Sequence, residues 1–165
     1  MNIVSATWAD CAEINELLSI CDLPAGSVSD PISDCLVLRS GRLLVWAVQV
    51  QCVGPVALGC WLAVRPGFRR QGWGKKLGDA ALARCRDAGV RSLYVYTETA
   101  PFYFRSLGFR SADSTEVPVG VAALLRERWA GHEFRTDELL VLDIRPATVQ
   151  SATFGKCKIP SSILS

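Results

Sequence analysis

Between residues 65 and 76 the chain gathers Arg65, Arg69, Arg70, Lys75 and Lys76, and sets two glycines, Gly72 and Gly74, among them. Glycines let a backbone approach a ligand without side-chain interference. A helix that begins beside them turns its first N–H groups, which have no partner within the helix, toward the same loop. With the helix dipole those donors make an anion site, and a local cluster of cations implies a local anion. A diphosphate is the natural guest. Gly72-x-Gly74-x-x-x-Gly78, with Glu98 further on, also resembles a dinucleotide fingerprint. That fit fails on distance. A dinucleotide turn places its first glycine close behind its strand, whereas Arg65 to Gln71, three of them arginine, intervene here.

The elements that must hold this loop follow from periodicity and turn residues. Val56–Val64 reads as an apolar strand ended by Arg65-Pro66-Gly67. Gly74–Ala88 reads as a helix with Leu77, Ala81, Arg84 and Cys85 on one stripe and Gly89 as its C′ residue. Ser92–Thr97 is the next strand, and Pro101–Leu107 a short helix that Pro101 starts and Gly108 stops. A strand, loop, helix and strand in that order make a crossover, which demands parallel strands. Upstream, residues 2–6 form a short strand and 8–20 an amphipathic helix, with Thr7-Trp8-Ala9-Asp10 resembling a capping box and Ile14, Leu17 and Leu18 recurring at helical spacing. Asp22–Asp34 reads as a loop with one short helical turn. Cys35–Arg39 and Leu43–Gln51, joined at Ser40-Gly41, make a hairpin that continues into Val56–Val64 as an antiparallel meander. Val121–Trp129 is a further helix and Glu138–Ile144 a closing strand. The fold class is α/β (α+β): one domain over 1–145, followed by a Ser/Thr-rich tail, 146–165, expected to be poorly ordered or to contact a partner.

At this point the residues resemble a known family. Arg69-x-x-Gly72-x-Gly74, after a strand end and before a helix, is similar to the coenzyme A signature of the GNAT superfamily of N-acetyltransferases. Thr97-Glu-Thr-Ala100-Pro-Phe-Tyr-Phe104-Arg-Ser-Leu-Gly108-Phe109 resembles the family motif that carries Asn, Ala, Tyr and Gly-Phe at the same intervals. The resemblance covers roughly residues 2–145. It implies a mixed sheet splayed open in the middle, with acetyl-CoA as co-substrate between the strands ending at Val64 and Thr97. It implies that backbone groups near Leu62 and Val64 pair with the pantetheine arm, and that an N–H near Leu62 meets the thioester oxygen, where acyl transfer develops negative charge. Arg69, Arg70, Gln71, Gly72, Trp73, Gly74, Lys75, Thr97 and Phe104 complete the implied cofactor contacts. Two positions depart from the motif: Thr97 replaces Asn, and Phe104 replaces a Tyr that commonly protonates the leaving thiolate. Tyr103 is adjacent, about 100° round a helix, and is expected to face elsewhere. The Thr-x-Thr-Ala-x-x-Tyr-Phe pattern is most similar to GNATs encoded with arsenic-resistance genes (the ArsN type), and less so to the GNAT domain of N-acetylglutamate synthases.

The reaction implied is direct acetylation of a small amine or amino acid, with Glu98 a candidate general base and Tyr103 a candidate acid. A non-catalytic acyl-CoA-binding module, and an acetyltransferase acting on protein N-termini or lysines, are the alternatives. A net charge of +2 argues against nucleic acid as a partner. The apolar runs are short and interrupted, so no membrane span is expected, and residues 1–20 lack a basic n-region and do not read as a signal peptide. The cysteine count is odd, no pair is spaced C-x-x-C, and His132 is the lone histidine. A zinc or other metal site is not expected. Cysteines used as small apolar residues imply a reducing, cytoplasmic compartment. A homodimer is left open.

Overall fold

The computed structural model describes residues 2–23, 32–98, 100–130 and 135–144. Most of the loop expected over Asp22–Asp34, Thr99, His132 and the tail from 146 lie outside the described residues. Seven strands form one sheet: β1 (Ile3–Ser5), β2 (Cys35–Ser40), β3 (Leu43–Val53), β4 (Val56–Val64), β5 (Ser92–Tyr96), β6 (Arg110–Ser111) and β7 (Leu139–Asp143), in the order β1-β2-β3-β4-β5-β7-β6. Each neighbouring pair is antiparallel except β4 and β5, which run parallel. The expected meander and crossover are both present. The two-residue β6 was not expected; it is too short to carry an alternation.

Helices cover both faces. α1 (Cys11–Ile20) and α4 (Val119–Arg128) pack on one, α2 (Trp73–Asp87) and α3 (Pro101–Ser106) on the other. Each helix is held by the apolar stripe it buries. In α1 that stripe is Ile14, Leu17 and Leu18, and in α2 it is Leu77, Ala81 and Cys85. A fully buried Leu or Ile contributes roughly 1.5–3 kcal/mol, whereas helices this short are marginal on propensity alone. α4 starts two residues before the expected Val121, because Pro118 at its N-cap is already extended and needs no N–H. Its last turn is fastened by Arg128, whose guanidinium donates to Gln49 Oε1 (3.2 Å) and Gln51 Oε1 (3.0 Å) on β3.

The entry to α1 is a short 3₁₀ turn, Trp8–Asp10, and not α-helix. Asp10 reaches back to the Thr7 N–H (2.7 Å), as the capping pattern implied. The same carboxylate and Glu13 clamp Arg39 of β2, at 2.7 and 2.8 Å. Burial works to raise the Asp10 carboxyl, but the hydrogen bonds from Arg39 and Thr7 outweigh it and hold Asp10 below its usual range. The Arg39 hydrogen bond lowers Glu13 in the same way. Carboxyls depressed in the folded state contribute stability that is present above their unfolded values, 3.8 and 4.5, and lost as pH falls through the lower folded values. Arg39→Met is therefore expected to be less stable than the wild type near neutral pH and to converge on it below pH 3.8. Urea melts across that range measure the gap. A gap that stays constant with pH would assign Arg39 to packing alone.

Candidate functional site

β4 and β5 pair only from Val56–Gly59 to Ser92–Val95. Beyond that, β4 runs on through Cys60–Val64 with a partner on the β3 side alone. Two features coincide there: β5 itself stops at Tyr96, one residue on, and the register between β3 and β4 shifts. Gln49 faces Trp61 and Val50 faces Gly59, so Cys60 is an extra residue on β4. Such a bulge bends its strand and ends local pairing. At the last paired position the strands are pressed together: a Cβ on Gly59 would lie 2.9 Å from Val95 Cγ1. The sheet is thus closed at Gly59 and open above it. An extended amide ligand can pair with the bare β4 edge as an added strand would.

That edge leads into the cationic loop. Pro66–Phe68 makes a single 3₁₀ turn, and Arg70 and Gly72 both take positive φ (60° and 75°) before α2 begins at Trp73. Alternation of this kind curves successive N–H groups into an anion-binding nest. No side chain caps α2, so its first N–H groups face the loop. The glycines answer different needs. Around Gly72 there is open space, and its left-handed φ is the requirement; at Gly74 a Cβ would lie 3.1 Å from the Tyr103 hydroxyl.

The cations are not equivalent. Arg70 is exposed and makes no ion pair or hydrogen bond among the described residues. Arg69 is turned back: its Nε donates to the Val64 carbonyl (3.1 Å) and Nη2 approaches Cys21 Sγ (3.7 Å). Cys21 also donates to the Val64 carbonyl (3.3 Å), so that oxygen already accepts twice. Lys75 pairs with Asp79 (3.1 Å), Lys76 lies over the Trp73 ring, and Gln71 donates to the Gly67 carbonyl. The loop expected to direct three cations at one anion leaves Arg70 as its free charge, with Arg69 bracing the loop against β4 and α1.

On the other side of the opening, Thr97 is buried, and its hydroxyl accepts the Ala100 N–H (3.0 Å) to start α3. Phe104 stacks edge-on with Phe109 and Tyr103. Tyr103 does not face away from the loop as its place round the helix suggested. Its hydroxyl lies against Gly74, beside which the Trp46 ring also packs, and it is buried with no hydrogen-bond partner among the described residues. Burial, and Asp79 after it, raise this phenol, which stays protonated.

A second group escaped the sequence reading. The Tyr96 hydroxyl joins two carboxylates, Glu138 Oε2 at 2.8 Å and Glu98 Oε1 at 3.2 Å. Burial, then Glu138, push its pKa up to about 12, so it keeps its proton. Tyr96 packs edge-on against Trp129 on the α4 face. A cavity of about 390 Å³ opens beside it, lined by Thr97, Glu98, Pro101, Phe102, Arg105, Asp137 and Glu138. A smaller, mainly apolar one of about 160 Å³ lies between Tyr96, Leu125 and Leu139, with Arg126 and Arg135 in its lining. Cys60, on the bulge, donates to the Leu58 carbonyl (3.4 Å), and burial raises its pKa to about 11.

Residues 31–111 match the family described as acetyltransferase (GNAT) domain. An amino-acid acetyltransferase of Pseudomonas fluorescens is 32% identical over 91 residues, and one of Azotobacter vinelandii 36% identical over 91 residues. In both cases the match spans 54% of this chain and 21% of the relative, so the chain corresponds to about a fifth of those proteins. Among solved structures, N-acetylglutamate synthase from Neisseria gonorrhoeae, complexed with coenzyme A and N-acetyl-glutamate, superposes with a TM-score of 0.74 at 18% identity, covering 87% of this chain and 35% of that one. Tetrahymena GCN5 gives 0.68 at 16% identity, covering 89% and 98%. The splayed, helix-flanked sheet is the GNAT fold.

The contact between Tyr103 and Gly74 is testable without a ligand. Tyr103→Phe removes an unsatisfied buried hydroxyl and is expected to leave stability unchanged or raised. Gly74→Ala should be better tolerated in the Tyr103→Phe background than in the wild type, by roughly 0.5–1 kcal/mol, in the range seen for side chains in contact. Denaturant melts of the four proteins measure this coupling. Additive effects would show that the hydroxyl does not crowd position 74.

Proposed function

We propose, on the premise that residues 31–111 carry a GNAT acetyltransferase domain, that this chain transfers the acetyl group of acetyl-CoA directly to the amine of a small amino-acid-like acceptor. The observation that carries the reading is the bare β4 edge at Cys60–Val64 running into the uncapped N-terminus of α2. Together they suit a ligand with an amide-bearing arm and a diphosphate. The pantetheine arm lies along β4 near Leu62. The diphosphate takes the N–H groups at Gly72, Trp73, Gly74 and Lys75 with Arg70 alongside, while Arg69 and Gln71 hold the loop in shape. Thr97 and Phe104 border the arm from the β5 side.

In the reaction the acceptor nitrogen attacks the thioester carbonyl carbon, the carbonyl oxygen takes up negative charge beside a β4 N–H near Leu62, and the C–S bond breaks as the CoA thiolate leaves. Glu98, with Tyr96 and Glu138, receives the amine proton. Direct attack is favoured because Cys60, the thiol on the bulge, is buried and hard to ionise. Phe104 supplies no acid, so solvent protonates the thiolate. The curated relatives act, by name, on amino acids, which supports the acceptor class. The Thr97–Phe104 pattern supports a finer place beside the GNATs encoded with arsenic-resistance genes. One observation favours a second reading, a non-catalytic acyl-CoA-binding module: the motif tyrosine is replaced by Phe104, which packs among aromatic rings.

Acetyl-CoA at about 100 times its Kd should stabilise the fold by roughly 2.7 kcal/mol, and NADPH should not. Thermal melts decide this, and no shift with acetyl-CoA would overturn the reading. Thiol release measured against a panel of amino acids and polyamines separates enzyme from binding module. Glu98→Gln is expected to lower turnover by about 10²–10⁴, the usual worth of a general base, with acetyl-CoA affinity kept. Unchanged turnover would leave the proton to Glu138 or to water.

A further inference from the structure

We propose that Cys52 and Cys85 are a paired-thiol modification site that a hydroperoxide oxidises to a disulfide, tying the end of β3 to the last turns of α2. The placement comes from the strand's alternation. Val53 faces α4, where its Cγ1 lies 2.8 Å from the position a Cβ on Gly120 would take. Cys52, one residue earlier, therefore faces the opposite side, as do Val48 and Val50. α2 covers that side with Leu77, Ala81 and Cys85. Cys85 is buried, and Cys52 is the exposed thiol among the described cysteines. Ala57, the cross-strand partner of Cys52, packs in the same cluster as Cys85, and the interaction between the two thiols there holds Cys52 below its ordinary pKa and, with burial, pushes Cys85 up. Arg84 and Asp34, themselves paired at 3.6 Å, are the charged groups beside Cys52; Arg84 favours its thiolate and Asp34 opposes it.

The chemistry needs one attacking thiolate that solvent can reach and one resolving thiol held beside it. Cys52 attacks the peroxide: an S–O bond forms, the O–O bond breaks, and the reagent leaves as an alcohol, or as water from hydrogen peroxide. The sulfur is thereby oxidised to a sulfenic acid by two electrons. Cys85 then attacks that sulfur, the S–S bond forms, and the hydroxyl departs as water with the Cys85 proton. The sum is two thiols and one peroxide giving one disulfide, one alcohol and one water. Cys35 and Cys60 are poor alternatives, because burial raises their pKa to about 12 and about 11, and Cys21 is engaged at the Val64 carbonyl. Cys52 pairs with Ala57, at the start of β4, whereas the bare edge is at the end of that strand. The inference is therefore independent of the acetyl-transfer reading.

The test treats the full chain, folded and reduced, with hydrogen peroxide. The expected result is an intact mass lower by two hydrogens, a Cys52–Cys85 linked peptide in a non-reducing digest, a raised melting temperature, and reversal of all three by dithiothreitol. In Cys85→Ala, which keeps a small apolar residue in the core, Cys52 should instead accumulate as a dimedone-trappable sulfenic acid. Cys52→Ser should give neither product. A wild type in which dimedone traps Cys52 while Cys85 remains a free thiol overturns the proposal. So does a linked peptide that joins Cys52 to any other cysteine.

Discussion

The architecture turns on the extra residue at Cys60. β5 pairs with β4 to within one residue of its own end, and past that point β4 has no strand partner on the β5 side among the described residues. The bulge bends β4 while its partner β3 remains bonded to it, so the bend opens on the β5 side. Gly59 fixes where the opening begins, since only a residue without Cβ fits against Val95. Everything chemically interesting is then arranged around the opening. The α2 loop lies beyond the end of β4, Thr97 and α3 beyond the end of β5, and Tyr96 with its two carboxylates on the α4 face.

Much of this was legible in the sequence, and the reasons differ by element. The helices were readable because Ile14, Leu17 and Leu18, or Leu77, Ala81 and Cys85, recur at 3.6-residue spacing and bury as that spacing implies. The glycine-bearing cationic loop before α2 was readable as a loop because glycines and cations are local signals. The bulge was not, because it is a relation of register between β3 and β4, and neither strand shows it alone. The Tyr96–Glu138 contact spans 42 residues and leaves no local trace. The direction of Arg69 was missed for a simpler reason: composition counts charges, and only packing shows which charge is spent on a carbonyl. Tyr103 was assigned from its angle on an isolated helix, which says nothing of where that helix is placed against α2.

The site also separates two jobs that one segment seemed to hold together. Arg69, Cys21 and the Val64 carbonyl form a brace that joins the loop to α1 and β4 before any anion arrives. In the proposed reading, Arg70 and the free N–H groups are what remain to meet one. A loop braced in advance loses less freedom when it binds, so more of the interaction energy appears as affinity. The positive φ of Arg70 is the local strain that accompanies this arrangement.

The opening has a cost in solution behaviour. Sheets are safest when their edges are short, and the outer edges here are the three-residue β1 and the two-residue β6. The longer open edge, the β5 side of Cys60–Val64, is inside the sheet, at the mouth of the cleft. Apart from the Val64 carbonyl, which Cys21 and Arg69 occupy, that apolar stretch offers an open backbone edge on its β5 side, the kind of edge onto which a second chain can add. A ligand lying along β4 would cover it. The co-substrate would then act as a solubility partner as well as a reactant, and concentrated protein should keep best with its cleft filled.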